Sequence, residues 1–206
     1  MELEVVPGVV PSVLATLGPG ESIFSEHGIV LYKEDPVKVD RRTIPSKGFG
    51  STLKRTSVGG VPFYLAEFTG PGLAAFSRNG PGEVRILELV TGETLDVAEG
   101  SLVCAANSIG YDTILAKGTG TYRGIWFDRL SGPGKFALHA YGNFVTLKLA
   151  QGETIVCERG AILHKTPAMV MTPFVQRVGS GLMGRMMAQE MYTVQGPGTI
   201  GLQTGA

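Results

Sequence analysis

Hydrophobic and polar residues alternate one by one in three short runs of the chain: VLATL at 13–17, VRILEL at 84–89 and VTLKL at 145–149. Alternation with a period of two turns one set of side chains to a buried face and the other to solvent, which predicts half-buried β-strands. Each run leads into the same nine-residue frame: GESIFSEHG (Gly20 to Gly28), GETLDVAEG (Gly92 to Gly100) and GETIVCERG (Gly152 to Gly160). Every copy begins Gly-Glu, carries Ile or Leu three residues after its first glycine, and closes on a glycine. A turn is expected at Gly-Glu, because glycine adopts positive φ at little steric cost. Behind each closing glycine an apolar strand is expected, at Ile29-Val30-Leu31, Leu102-Val103 and Ile162-Leu163. Another apolar position recurs at Val37, Ile109 and Met169.

A second marker, Gly-Pro-Gly, stands at 70–72, 132–134 and 196–198, out of phase with the first. Proline cannot donate to a strand ladder, so each copy predicts a bulge or a turn. The markers are 62 and 64 residues apart, against 72 and 60 for the Gly-Glu frames, so the unit is about 62 residues with an insertion of about ten in the first. The pattern predicts an all-β fold, one body spanning 1–206 and built of three pseudo-repeats of rolled sheet. By phase, only 68–129 and 130–190 are continuous units, and the third is assembled from 1–67 plus 191–206. The expectation is therefore that the C-terminal strand around Tyr192 to Gln203 lies beside the N-terminal strand around Val9 to Leu17, closing two edges that would otherwise invite aggregation. Two stretches break the β pattern. PSKGFGSTLKRTSVGG at 45–60 and GSGLMGRMMAQEM at 179–191 read as short helices or turns, the latter placing Leu182, Met183, Met186 and Met187 on one helical face.

Composition sharpens this picture in one direction. Thirty glycines in a chain that is 43% hydrophobic argue for many tight turns between short strands rather than for disorder. The 18 basic and 18 acidic residues cancel, so no whole-molecule field draws the chain to nucleic acid or to an anionic membrane, and any such contact must be local. Cys104 and Cys157 occupy non-equivalent repeat positions without a CxxC, and read as reduced core thiols. The start, MELEVVPGVVPSVL, lacks a basic region followed by a long apolar stretch, and no window reaches the roughly 20 apolar residues that span a bilayer. The expectation is a soluble, cytoplasmic protein without a transmembrane segment.

Candidate chemistry is sparse. His27 lies in a turn and reads as solvated; His139 and His164 could converge in space, but no two of the three histidines have metal-ligand spacing. Nucleophile-elbow, phosphate-loop and dinucleotide fingerprints are missing, and KGTGTYRG at 117–124 reads as a loop. Neither a metal nor a cofactor is implied. Glu21, Glu93 and Glu153 repeat with the frame and are expected to cap neighbouring amides or face solvent. From Lys38 to Arg55 six basic residues face the single acid Asp40. Arg41, Arg42, Lys47, Lys54 and Arg55 form the candidate anion or RNA contact, with a solvated loop as the plainer reading. Leu182, Met183, Met186 and Met187 are the candidate partner surface, whether toward a subunit, another protein or the periphery of a membrane.

The order of a Gly-rich segment with LKR, a strand, FTGPGLAAFSRNGPGEVRILEL, a Gly-Glu turn and an apolar strand resembles the altered inheritance of mitochondria family, also described as mitochondrial biogenesis proteins, over about residues 10–205. The resemblance implies three repeats similar to the subunit of the tryptophan RNA-binding attenuation protein, a double-stranded β-helix-like roll. It carries no established catalytic residue. Three readings follow. The first is a non-enzymatic structural or scaffolding protein forming symmetric homo-oligomers, a trimer above all. The second is a small-molecule or RNA-binding module using pockets between repeats or the basic loop at 38–55. The third is an enzyme centred on His139 or His164.

Overall fold

The structure, a computed structural model, describes residues 1–42, 65–116, 124–177, 179 and 188–205. Strand β1 (Glu2–Val6) precedes three groups of six. The first comprises β2 (Ser12–Leu17), β3 (Ser22–Glu26), β4 (Val30–Lys33), β5 (Lys38–Arg42), β6 (Leu65–Thr69) and β7 (Gly72–Ser77). The second comprises β8 (Gly82–Leu89), β9 (Thr94–Ala98), β10 (Leu102–Ala106), β11 (Gly110–Ala116), β12 (Ile125–Ser131) and β13 (Gly134–Tyr141). The third comprises β14 (Phe144–Leu149), β15 (Thr154–Glu158), β16 (Ile162–Lys165), β17 (Val170–Gln176), β18 (Gln189–Gln195) and β19 (Gly198–Gln203). The fold is all-β; among the described residues the other regular element is a 3-10 turn at Arg159–Ala161.

One pairing pattern occurs in every group. The first, last and third strands lie side by side (β2-β7-β4, β8-β13-β10, β14-β19-β16), and so do the fourth, fifth and second (β5-β6-β3, β11-β12-β9, β17-β18-β15). Half-sheets of successive groups then join through β3 with β10 and β9 with β16. Among the described residues the result is four antiparallel sheets, none closed into a barrel: β1-β2-β7-β4, β5-β6-β3-β10-β13-β8, β11-β12-β9-β16-β19-β14 and β15-β18-β17. Three apolar clusters bind successive sheets. Val13 and Phe76 of the first sheet pack with Ile23, Phe68 and Cys104 of the second. Leu102, Phe136 and Leu138 meet Val97, Leu130 and Leu163 between the second and third. Phe127, Ile162 and Ile200 meet Cys157, Tyr192 and Val194 between the third and fourth. Each fully buried Phe or Leu in such a cluster contributes about 1.5–3 kcal/mol by leaving water.

The two glycine markers dock on each other. Glu21, Glu93 and Glu153 close β-turns onto the carbonyls of Gly18, Val90 and Ala150, and the glycine before each Glu has a φ of +76°, +88° or +82°. The amides of Gly70, Gly132 and Gly196 then donate to the carbonyls of Glu21, Glu93 and Glu153 at 2.9, 3.0 and 2.9 Å. A Cβ on Gly132 would stand 2.3 Å from the Val90 carbonyl oxygen, which is why only glycine fits. The following Gly-Pro bonds are cis in all three copies, and the second glycines, at φ +133°, +150° and +149°, rest on Val37, Ile109 and Met169. These recurrent apolar residues are thus the seats on which the Gly-Pro-Gly corners sit, and all three are buried. Both markers are corners at which the chain crosses from one sheet to the next.

Two expectations are corrected. The C-terminal strand does not lie beside the N-terminal one: β19 pairs with β14 and β16, while β2 pairs with β7 and β1. The reason is local connectivity. Partners near in sequence, completing the six-strand pattern within 144–203, satisfy β19 at less loop-closure entropy, and β1 already covers the edge of β2. So 1–67 and 191–206 do not form a shared unit. Second, the end of the expected helical stretch, Gln189–Met191, opens strand β18. The segment 45–60 and residues Leu182, Met183, Met186 and Met187 lie outside the described residues.

Candidate functional site

The joints between repeats are built at one register. At the first, Ala105 stands opposite Phe24; at the second, Lys165 stands opposite Asp96. These are the same pair of repeat positions, five residues past the closing glycine and four past the opening one. Their chemistry differs. Phe24 carries the Arg42 guanidinium 3.8 Å from its ring centroid. Asp96, in contrast, accepts from Arg129 Nε at 2.7 Å, Arg129 Nη2 at 3.0 Å and Lys165 Nζ at 3.0 Å. Burial pushes the Asp96 carboxyl up, but these hydrogen bonds outweigh it and hold the group below the ordinary carboxylate range. Lys165 also reaches the carbonyls of Thr166, Pro167 and Met169, each at 3.4 Å.

A third instance of this joint has its halves at opposite ends of the molecule. Strand β4 is an edge of the first sheet and β15 an edge of the fourth. Leu31 and Tyr32 of β4 are 57% and 54% exposed, whereas the equivalent Val103, Cys104, Leu163 and His164 are 0%, 0%, 0% and 7% exposed. Val156 of β15 is 54% exposed, while Phe24 and Asp96 are 0% and 2%. The same sequence positions are buried at each internal joint and open at both ends. Beside β4 an open hollow of about 520 Å³ is lined by Val30, Tyr32, Val39, Arg41 and Phe68. An exposed apolar strip on an unpaired strand edge is a surface that natural proteins ordinarily cover.

Of the basic residues, Lys47, Lys54 and Arg55 lie outside the described residues. Arg41 lines the hollow beside β4. Arg42 turns inward: it donates to Asn107 Oδ1, to the Asn107 carbonyl at 3.4 Å and to the Ile109 carbonyl at 3.1 Å, tying β5 to the second repeat. Burial pulls its guanidinium below the usual value, with Glu67 opposing.

The two inner histidines have separate surroundings. His139 is buried, with Nε2 3.2 Å from the Gly80 carbonyl and its ring edge-on to Tyr141 at 4.9 Å. Burial lowers its pKa. His164 lies against Gly201, where a Cβ would come within 2.3 Å of Nε2. Burial, assisted by Arg85, pushes it down to about 4, so the ring is neutral. Each Nδ1 lacks a hydrogen-bond partner among the described residues. No group of three or more His, Cys, Asp or Glu side chains able to hold a metal occurs among the described residues. Cys104 and Cys157 are free and buried, and burial raises both thiols, that of Cys157 to about 11.

Sequence reasoning missed the joint residues Asp96, Arg129 and Lys165, which are far apart in the chain. The available signal was the charge at positions 96 and 165 where the first repeat pair carries Phe24 and Ala105. Among the described residues no helix is long and apolar enough to cross a membrane. No curated protein matches the chain. The crystal structure of protein SPYM3_0169 from Streptococcus pyogenes is similar in fold, with a TM-score of 0.75 at 18% identity over 98% of this chain and 93% of that one. The sequence matches the mitochondrial biogenesis AIM24 family across residues 4–205, nearly its whole length, and so the chain belongs to that family.

Proposed function

We propose that the protein is a non-enzymatic structural component that assembles head to tail into a symmetric ring, a trimer of nine repeats, by pairing β4 of one chain with β15 of the next. The observation that carries this reading is the exposure of Leu31, Tyr32 and Val156 at positions buried at both internal joints. Burial of such an apolar side chain is worth about 1.5–3 kcal/mol, a good part of which each open edge forgoes. A joint of this kind is heterologous, with different surfaces meeting, so copies continue until the rotation closes. Carrying the internal register over places Lys33 opposite Val156 of the neighbouring chain, antiparallel, with Tyr32 opposite the neighbour's Cys157. Pairing of those edges is what the exposed Leu31, Tyr32 and Val156 support.

Native mass spectrometry together with cross-linking tests this. A mixture of K33C and V156C single variants is expected to give disulfide-linked dimers that neither variant forms alone, since directly opposed strand residues lie within disulfide reach. Leu31→Glu combined with Tyr32→Glu is expected to reduce the wild-type trimer to monomers. A wild-type monomer at micromolar concentration, or an oligomer indifferent to both changes, sinks the proposal.

A further inference from the structure

The three Gly-Glu turns share a feature that, among the described residues, only one of them uses. In each, one carboxylate oxygen caps the turn: Glu21 Oε2 accepts from the Gly18 amide at 2.8 Å, Glu93 Oε2 from Val90 at 2.9 Å and Glu153 Oε2 from Ala150 at 2.6 Å. The other oxygen of Glu21 receives the α-ammonium group of Met1. Strand β1 follows from that anchor, pairing with the outer edge of β2 from Glu2 opposite Thr16 to Val6 opposite Ser12. Met1 packs against the clusters on both sides of the second sheet, and Leu3 and Val5 cover the cluster between the first and second. An extended segment whose leading ammonium sits on Glu21 therefore fills the groove between the first and second repeats.

Between the second and third repeats the equivalent groove is open. Among the described residues, strand β8, the counterpart of β2, is a sheet edge with no strand beyond it, and so is β14 across from it. A cavity of about 700 Å³ lies there, lined by Glu93, Leu95, Phe136, Thr146, His164 and Thr199. The lining combines apolar Leu95 and Phe136 with the polar Thr146 and Thr199. His164, 93% withdrawn from solvent, brings to this lining an Nδ1 that has no partner among the described residues. The far end of the groove is stoppered: Glu83 Oε2 accepts from the Phe144 amide at 2.9 Å, and the Arg85 guanidinium stands 4.7 Å from the Phe144 ring centroid. That leaves room for the first few residues of a segment.

We propose that this cavity is a receptor for the free amino end of an extended peptide, its ammonium on Glu93 Oε1 and its backbone added as a short strand to the open edge of β8. The seated β1 supplies the geometry: residue 2 of the peptide opposes Glu88, residue 3 Leu87 and residue 4 Ile86. Strand addition provides main-chain hydrogen bonds, and the carboxylate selects an unblocked terminus. The site is independent of how chains assemble.

The probe is the hexapeptide MELEVV, free or N-acetylated, titrated calorimetrically into the full-length protein. The free peptide is expected to bind, and acetylation to weaken it at least tenfold. Glu93→Gln, whose amide oxygen still caps Val90, is expected to erase the difference between the two peptides with the unfolding midpoint unchanged. Thr146→Trp, filling the cavity from the exposed strand β14, is expected to abolish binding of both. Amide NMR locates the site: shifts at Val90 and His164 support it, whereas shifts confined to Gly18 would mean the peptide has displaced β1, overturning the assignment. Equal binding of the acetylated peptide, no binding up to millimolar concentration, or an unaltered preference in Glu93→Gln also overturns it.

Discussion

Replacing Asp96 tests whether the second joint is held by charge where the first is held by an aromatic ring. In Asp96→Ala the Lys165 ammonium stays buried but loses its carboxylate, and removing one member of a buried pair costs about 3–5 kcal/mol. The lower end applies here. Three carbonyls at 3.4 Å still solvate Lys165, and Arg129, with 38% of its side chain exposed, can turn to water. With an unfolding entropy of about 2.1 cal/mol/K per residue, a loss of about 3 kcal/mol lowers the Tm of this 206-residue chain by about 7 °C. Transplanting the first joint's pair as D96F/K165A removes both charges. It is expected to come within about 1.5 kcal/mol of wild type, because a well-packed apolar substitute for a buried ion pair is close to neutral. Urea unfolding of wild type, D96F, K165A and D96F/K165A completes the cycle. The sign with pH follows from the lowered carboxyl. Its contribution is fully present above the unfolded value near 3.9 and is lost as pH falls through the folded value, so the gap to Asp96→Ala is constant from pH 7 to about 5 and narrows in stronger acid. A double variant as unstable as the sum of the singles, or an Asp96→Ala cost below about 1 kcal/mol, refutes the reasoning.

Two further outcomes are expected. His164 is held near 4 by burial against about 6.5 when unfolded, so acidification from pH 6.5 toward 4 protonates the unfolded state first and removes stability at about 1.4 kcal/mol per pH unit; His164→Gln should lose roughly 2–3 kcal/mol less than wild type between pH 7 and 4.5, and parallel pH profiles would contradict this. Gly134→Ala places a Cβ 2.7 Å from Ser108 Oγ at a φ of +150°, whereas Gly92→Ala meets nothing within 4 Å at +88°. The second should cost only the left-handed backbone strain, about 1–2 kcal/mol, and the first clearly more; equal urea midpoints would show that the corner does not depend on this packing.

The corners were legible because glycine and proline leave a mark on the chain wherever the backbone must do something other residues resist. Gly92 with its positive φ, and the Val37, Ile109 and Met169 positions on which the Gly-Pro-Gly corners rest, could be placed by counting. The capping role of Glu21, Glu93 and Glu153 was among the expected readings for the same reason, since a turn brings its own amide within reach. The basic run at 38–55 was visible as charge, but the inward turn of Arg42 onto Phe24 and Asn107 was not, because its partners lie far from it along the chain.

Alternation, turn glycines and their spacing thus determined, without any structure, an all-β chain of repeating corners and strands, for these report backbone geometry over a few residues at a time. Partner choice belonged to the tertiary structure. Every described strand presents similar hydrogen-bonding edges, so nothing local says that β19 takes β14 and β16 rather than the N-terminal strand, that Asp96 meets Lys165 and Arg129, or that β1 fills one groove and leaves its counterpart open. Which of several chemically equivalent edges is covered is settled by burial summed over the whole molecule.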